Sequence, residues 1–309
     1  MSAEIYSAQV ALLVRTIPEI ARQETFALKG GTAINLFVRD LPRLSVDIDL
    51  VYLPIAARKE SLAAIHQGLA RIAGNLRKRL GVKVTEQKSG DGAKLVVRAG
   101  TAQIKVEVSP VLRGTVFDPE VRSVRPTVED RFGYAEMQVV AFPDLYAGKI
   151  AAALDRQHPR DLFDILHLYE NEGITDDLFK AFLIYLVSHN RPPHELLDPN
   201  PLDLDDLYAG EFRGMTLEPV PLTGLLDIRA KLIADIQKRA RKDASAAFLR
   251  SFFAGNPDWS QVVLPIDASR LPAVQWKLQN LGRLQAEQRD KFDDQLSKLD
   301  DVLADRTAK

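Results

Sequence analysis

Two carboxylates, Asp47 and Asp49, stand two residues apart in a segment where charged and apolar residues alternate. The alternation across residues 43–52 predicts a strand, and side chains two apart on a strand point to the same face, a few ångströms from each other. Repulsion between the two charges is costly unless a cation lies between them. A hard ion such as Mg²⁺ takes carboxylates together with substrate phosphates, so the pair predicts a metal platform for a nucleoside triphosphate.

A glycine-rich segment, Lys29-Gly30-Gly31-Thr32, precedes the acid pair by fourteen intervening residues. It follows a short apolar run at 26–28 and comes before the helical spacing of 34–38, so it predicts a strand that turns into a helix. Free backbone N–H groups and the positive helix end then face a phosphate, and Thr32 adds a hydroxyl donor. An Asp-x-Asp pair alone usually belongs to an exposed strand end, but the coupling to Gly-Gly-Thr favours a nucleotide site.

A third carboxylate is expected on a neighbouring strand, and Glu107 is the candidate. Within residues 103–108 the apolar side chains alternate with Lys105 and Glu107, which predicts a strand with those two side chains on its open face. Glu107 is therefore a predicted metal ligand. The alternative is a solvent-facing residue on a half-buried strand.

A second group of charged residues follows in the C-terminal half. Lys149 stands on a predicted helix, 145–154, with a face of Gly and Ala that a triphosphate can approach closely. Asp161 and Asp164, three residues apart, share a face of the next helix. The pattern predicts either a phosphate-binding lysine with acidic neighbours or a structural ion-pair network between two helices.

The predicted elements divide the chain into an α+β part and a helical part. Besides the elements above, the first part has predicted helices at 5–21 and 58–80 and predicted strands at 82–85 and 94–97. Its meander turns are expected at 89–92 and 99–101. After Pro143 helical spacing dominates, at 145–154, 161–170, 178–187, 225–253 and 271–303. Residues 195–221, rich in Pro, Asp and Gly, predict a loop. We expect an α+β domain over residues 1–142 and a helical domain over 143–309.

The composition is that of a folded, soluble protein. Of 309 residues, 46% are apolar and 27% charged, which argues against disorder and against a coiled coil. The chain has no cysteine, so disulfides, thiolate metal sites and a cysteine nucleophile are excluded. Neither a signal peptide nor an apolar run of membrane-spanning length is present, so no membrane association and a cytoplasmic location are expected.

Charge is unevenly distributed along the chain, although the formal net charge is only −1. Residues 53–115 contain twelve Lys and Arg against four Asp and Glu, an excess of eight positive charges. Such an excess attracts the phosphates of a nucleic acid. The alternative is an ordinary solvated helix face around residues 71–79.

Three stretches of the sequence resemble one enzyme family. These stretches are Lys29-Gly-Gly-Thr-Ala33, Arg43-x-Ser45-x-Asp47-Ile-Asp49-Leu50, and Gly148-Lys149 through Arg156, Arg160-Asp161 and Asp164. They are similar to the AbiEii/AbiGii-type nucleotidyltransferase toxins, a branch of the polymerase-β-like nucleotidyltransferase superfamily that includes the MenT toxins. The resemblance is specific over about residues 26–53 and 145–168.

The resemblance implies a polymerase-β-like nucleotidyltransferase core with a mixed sheet, followed by a helical domain, and a toxin that uses NTP and Mg²⁺. Relatives belong to bacterial or phage-defence toxin–antitoxin pairs and add nucleotides to the 3′ end of tRNA, so a cognate antitoxin and an RNA acceptor are the implied partners. Asp47 and Asp49 would hold the metals, and Lys149 would grip phosphates. Asp164 would complete the catalytic site. The implied nucleotide-binding residues are Lys29, Gly30, Gly31, Thr32, Ser45, Lys149 and Asp161.

The predicted reaction is in-line attack of an acceptor hydroxyl on the α-phosphate of the NTP, with pyrophosphate leaving. An RNA 3′ end fits the basic segment 53–115 as acceptor. A small molecule or a protein hydroxyl is the alternative acceptor. A further alternative is a non-catalytic nucleotide-binding module that acts through its helical half, and metal-dependent NTP turnover would separate the two.

Overall fold

The computed structural model describes residues 3–89 and 92–304. It contains two compact units, Met1–Ala141 with Met215–Glu218, and Phe142–Gly214 with Pro219–Lys309. The sequence placed the division one residue later and assigned 215–218 to the helical part. The predicted turn at 89–92 includes residues 90 and 91, which lie outside the described part of the chain.

The first unit is built on a mixed sheet whose seven described strands run in the order β3-β4-β5-β2-β1-β7-β6. The strands are β1 Phe26–Lys29, β2 Asp47–Tyr52, β3 Lys83–Ser89, β4 Gly92–Ala99, β5 Ala102–Arg113, β6 Glu120–Ser123 and β7 Glu136–Val139. The central strand β2 is antiparallel to β1 and parallel to β5. β2 therefore has a partner on both sides, which fixes its register firmly.

Helices cover one face of this sheet and create the core of the first unit. Its helices are α1 Ala3–Ala21, α2 Gly30–Ala33, α3 Arg58–Asn75 and α4 Pro126–Phe132, with π-helical turns at Ile34–Val38 and Leu76–Leu80. α1 contacts β5 and β7, and α3 contacts β4. Ile48, Leu50 and Val106 are completely buried, as the period of two in their strands predicts. The intervening polar side chains are left on the other face.

The predicted strand over residues 43–52 is shorter in the structure. β2 begins at Asp47, whereas Arg43 forms an isolated bridge with Thr216. The N–H of Leu44 donates to the carbonyl of Met215 and the N–H of Leu217 to that of Pro42, so residues 42–44 pair with residues 215–217 instead of the sheet. The prediction was wrong here because a partner so distant in sequence leaves no local signal.

The second unit is helical in the part that the structure describes. Its helices are α5 Phe142–Arg156, α6 Pro159–Glu170, α7 Asp176–Val187, α8 Pro193–Leu197, α9 Asp205–Glu211, α10 Leu222–Ala240, α11 Asp243–Phe253, α12 Pro272–Glu287 and α13 Arg289–Leu303. Large aromatic side chains such as Tyr146, Phe182 and Phe248 are fully buried among them. The predicted α+β class is thus confirmed, with the sheet in the first unit.

Three predictions in the helical unit were wrong in detail. The predicted loop at 195–221 contains α8 and α9, and the phenylalanine that follows α9, Phe212, is buried against Phe163. The predicted helices at 225–253 and 271–303 are each split in two, because Lys242 and Gln288 leave the helical conformation. No helix in 3–89 or 92–304 is long and apolar enough to cross a lipid bilayer.

Candidate active site

A row of polar side chains crosses five strands on the open face of the sheet. The register pairs Gln87 with Lys94, Lys94 with Glu107, Glu107 with Asp49, and Asp49 with Lys29. Residues paired in this way lie on the same face, and all five line one cavity of about 400 Å³. The prediction that Glu107 lies beside Asp49 on a neighbouring strand is confirmed by this register.

Asp47 lies on the same face as Asp49, because the fully buried Ile48 separates them along β2. Asp47 pairs in register with Lys105 of β5, so each acid of the pair has a charged neighbour on that strand. Glu107 in turn lies 3.9 Å from the ammonium of Lys94. Both Glu107 and Lys94 are well exposed, so solvent screens their attraction and the pair is weak.

The two glycines before α2 are required by close packing around the acids. Gly30 has φ +75°, and a Cβ there would lie 2.7 Å from Oδ2 of Asp49. A Cβ at Gly31 would lie 2.8 Å from Nη2 of Arg43 and 3.1 Å from Oγ of Ser45. Gly30 therefore allows the carboxylate of Asp49 to pack against the backbone, and Gly31 allows Arg43 and Ser45 to do so.

Thr32 is buried, with 1% of its surface exposed. Its hydroxyl donates to the carbonyl of Asp47 and lies 3.0 Å from Oγ of Ser45. In the structure Thr32 thus joins the start of α2 to the start of β2 and fixes the position of the first acid. Its contact with a nucleotide, and that of the half-buried Ser45, stay predictions.

Two further residues position this segment and were missed as site residues. The backbone N–H of Ser45 donates to the hydroxyl of Tyr6 on α1, and burial raises the pKa of Tyr6 well above its ordinary value. Arg43 is 3% exposed and donates to the carbonyl of Leu44. Tyr6 gave no signal beyond the helical spacing of α1, whereas Arg43 stood within the family pattern.

Lys94 was also missed, although its position follows from a local signal. Gly100 and Thr101 form a two-residue connection between Ala99 and Ala102, which are paired. A two-residue hairpin fixes the register of both strands, and counting outward from it places Lys94 opposite Glu107.

The donor set on β2 fits a hard divalent cation. Asp47 and Asp49 supply carboxylate oxygens on one rigid strand, which suit Mg²⁺. Gly30 leaves the space beside Oδ2 of Asp49 free for an ion or a phosphate. Within residues 3–89 and 92–304, no three His, Asp or Glu side chains converge closely enough to hold a metal by themselves. Substrate phosphates and water are the further ligands that Mg²⁺ commonly takes.

The charged residues of the second unit form a buried network. The ammonium of Lys149 on α5 lies 2.7 Å from Oδ1 of Asp161 and 2.9 Å from Oδ2 of Asp164, both on α6. The three side chains are 7%, 1% and 1% exposed. The prediction that Asp161 and Asp164 share a helix face is confirmed, and the ion-pair network is what the structure shows. The roles of Lys149, Asp161 and Asp164 toward a nucleotide stay predictions.

Arg156 completes the network with two hydrogen bonds to Asp161, of 2.6 and 3.0 Å. Burial disfavours the charged form of Asp161, but Lys149 and Arg156 together outweigh it and hold the pKa of that carboxyl well below its usual range. Two cations thus balance two carboxylates, and a buried network needs such pairing to be stable.

An acid pair on the central strand of a mixed sheet, next to a glycine turn that opens a helix, defines a nucleotidyltransferase. The family model described as "Nucleotidyl transferase AbiEii toxin, Type IV TA system" matches residues 11–280, and the chain belongs to this family. The predicted class of enzyme is thereby confirmed: the chain is a nucleotidyltransferase toxin of a type IV toxin–antitoxin system.

Comparison with solved structures agrees with the fold. MenT4, a nucleotidyltransferase toxin from Mycobacterium tuberculosis H37Rv, aligns over 96% of this chain and 95% of that chain, at 17% identity and a TM-score of 0.55. Terminal uridylyl transferase 4 from Trypanosoma brucei with bound dUTP aligns over 97% of this chain and 98% of that chain, at 13% identity. Its TM-score of 0.31 is too low to support an inference. No curated protein matches the sequence significantly.

Proposed function

We propose that the chain transfers a nucleoside monophosphate from an NTP to the hydroxyl of an RNA acceptor, the 3′ end of a tRNA, in the cytoplasm. The observation that carries this proposal is the register of β1, β2 and β5, which sets Lys29, Asp49 and Glu107 side by side at the Gly30 turn. Carboxylates and a cation around an open cavity are the groups that phosphoryl chemistry requires.

Asp47 and Asp49 would hold Mg²⁺. Glu107 of β5 would become a further ligand only by turning from Lys94 toward the ion, because the three carboxylates do not converge in the structure. The metal would neutralise charge on the triphosphate and lower the pKa of the attacking hydroxyl. The chain itself supplies orientation. The Gly30-Gly31 turn would receive the triphosphate, and Lys29 and Ser45 would donate to it. Thr32 holds the strand that carries Asp47 in place through its hydrogen bond to the Asp47 carbonyl.

The network of the second unit would serve the same reaction. We assign Lys149 to the triphosphate and Asp164 to the completion of the catalytic site, on the resemblance of 145–168 to the family. Asp161 is shared between Lys149 and Arg156, so its role is to hold the ammonium of Lys149 in place. Two carboxylates around Lys149 also offset the cost of burying its ammonium.

The basic segment 53–115 supports an RNA acceptor. In the structure Arg77 is paired with Glu86 and Arg79 with Glu19, at 3.2 and 3.6 Å. Lys78, between them, is exposed and has no ion pair within the described residues. The side chains of both arginines are exposed, so solvent weakens these pairs and phosphates can compete for the arginines. The antitoxin of the same system is the expected protein partner, and phage defence is the expected context.

Incubation of the protein with total RNA and each labelled NTP in turn tests the proposal. A labelled RNA band with one NTP, dependent on Mg²⁺ and absent with Asp49→Asn, supports it. Label in a protein or in a small molecule would assign another acceptor. Absence of any labelled product with all four NTPs would contradict nucleotidyl transfer itself.

A further inference from the structure

A second cavity lies within the helical unit, between α12, α13 and the chain that follows α7. Its volume is about 470 Å³, within the range of about 300–1,000 Å³ typical of ligand sites. Trp276 lines this cavity and is 44% exposed. Its polar lining includes Asn190, Asn280, Lys291 and Gln295, together with Ser188, Glu195 and Lys277.

Lys277, next to Trp276, fixes one wall of the cavity. Its ammonium donates to the carbonyls of His189 and Arg191, at 2.6 and 3.1 Å, on either side of Asn190. Burial lowers the pKa of Lys277 to about 8. The segment that carries Asn190 is therefore tied to α12, so the cavity is formed before any ligand binds, which lowers the entropic cost of binding.

The lysines of the cavity, Lys277 and Lys291, have no acidic partner within the described residues, so the cavity carries a positive charge. Glu195 accepts from Arg191 at 2.8 Å and is neutralised by it. Lys277 is engaged by carbonyls. Lys291 has no acidic partner within 3–89 and 92–304, and over the same residues the amide side chains of Asn190, Asn280 and Gln295 make no hydrogen bond. Donors, acceptors and a cation are thus all free around an exposed indole.

We propose that this cavity binds an unpaired nucleobase of single-stranded RNA, stacked on Trp276. Amide groups match the donor and acceptor edges of a base, Lys291 matches the adjoining phosphate, and aromatic side chains are the usual stacking surface for unpaired bases. This inference rests on the proposed function, because the RNA bound here would be the acceptor of the transfer. A paired base hides its faces in the stack, so the site selects single strands.

Tryptophan fluorescence tests the proposal directly. The sequence has two tryptophans, so Trp259→Phe leaves Trp276 as the only indole. Trp259 packs against Phe248 and Phe252, where a phenylalanine fits, so this variant is expected to fold normally. An oligoadenylate, without NTP or metal, should quench Trp276 saturably, whereas its duplex with oligouridylate should bind at least about tenfold more weakly.

Affinity measured with labelled oligoadenylate gives a second readout. Trp276→Ala should weaken binding about tenfold, because loss of one stacked base costs at least that much, whereas Trp276→Phe should retain most of it. Val263→Ala, at a position 77% exposed in the same unit, is the matched control and should bind as the wild type does.

The outcomes separate this inference from the proposed function. Quenching of Trp276 by single strands, in a protein that transfers no nucleotide to RNA, would refute the function and retain the cavity as an RNA site. Normal transfer to RNA, with unchanged Trp276 emission and an unchanged affinity in Trp276→Ala, would overturn the cavity proposal alone. Equal quenching by single strand and duplex, or quenching only by a peptide, would also overturn it.

Discussion

The two charged clusters of this molecule are built in opposite ways. The acids of β2 and β5 lie on an open sheet face, and the side chains of Lys94 and Glu107 are 36% and 45% exposed. Lys149, Asp161 and Asp164 are buried and pair at 2.7 and 2.9 Å. The first cluster has charge to offer a ligand, whereas the second has satisfied its charges internally. Substitutions in the first cluster should therefore lower activity without a loss of stability, whereas substitutions in the second cluster should lower stability as well.

The largest effect is expected for Asp49→Asn. Loss of a metal-binding carboxylate should lower transfer at least about a thousandfold. The melting temperature should hold or rise slightly, because one of two crowded charges is removed. Labelled NTP incorporation and thermal unfolding measure the two quantities. Glu120→Gln removes an exposed acid paired with Arg122 in the same unit and should change neither. Near-normal transfer by Asp49→Asn in saturating Mg²⁺ would refute the metal platform.

Lys149→Met should lower the stability of the second unit as well as transfer. Removal of Lys149 takes one of the two cations from the buried network and leaves Arg156 to pair with Asp161, at a cost of about 3–5 kcal/mol in the free energy of unfolding. Both tryptophans belong to the second unit, so urea unfolding followed by tryptophan fluorescence reports on that unit. Lys180→Met removes a half-exposed lysine 3.4 Å from Asp177 and should cost less than about 1 kcal/mol.

Lys149→Arg distinguishes a phosphate-binding role of Lys149 from a purely structural one. If Lys149 also grips phosphate, the bulkier planar group should lower kcat/KM for NTP while the charge preserves stability. Normal kinetics together with a large loss of stability would leave Lys149 with a structural role only.

Gly30→Ala tests the space beside Asp49. The new Cβ would lie 2.7 Å from Oδ2 of Asp49 at a φ of +75°, so the carboxylate must move. We expect a loss of about 1–2 kcal/mol from the backbone and about a hundredfold lower transfer from the displacement. Gly81→Ala shares a positive φ, +65°, and has nothing within 4 Å of its Cβ. It should lose similar stability and keep its activity; equal transfer by both variants would show that the close contact is unimportant.

The smallest effect is a difference in acid sensitivity. Because the pKa of Asp161 in the folded state lies well below its usual range, its stabilising contribution is present above about pH 4 and is lost as pH falls toward the folded-state value. Asp161→Asn should therefore be less stable than wild type at neutral pH, and its urea midpoint should fall less steeply below pH 4. Parallel slopes for the two proteins would contradict this assignment.

Local sequence patterns predicted the acid pair, the glycine turn and the position of Glu107, because alternation along a strand fixes which side chains share a face. The pairing of Arg43 with Thr216 and the hydrogen bond from Ser45 to Tyr6 were not predictable, since each joins segments far apart in sequence. Lys94 lay within reach of prediction through the Gly100-Thr101 hairpin. In the helical unit, breaks at Lys242 and Gln288 interrupt continuous periodicity without a glycine or proline, so periodicity alone did not show them.

We propose that the acids of β2 catalyse attack on the α-phosphate of an NTP. Parallel reactions with NTP labelled at the α-phosphate and at the γ-phosphate, in total RNA with Mg²⁺, test it most directly. We expect that RNA gains the α-label, that the γ-label leaves as pyrophosphate, and that Asp49→Asn gives neither product. Transfer of the γ-label to RNA, or undiminished α-label transfer by Asp49→Asn, would contradict it.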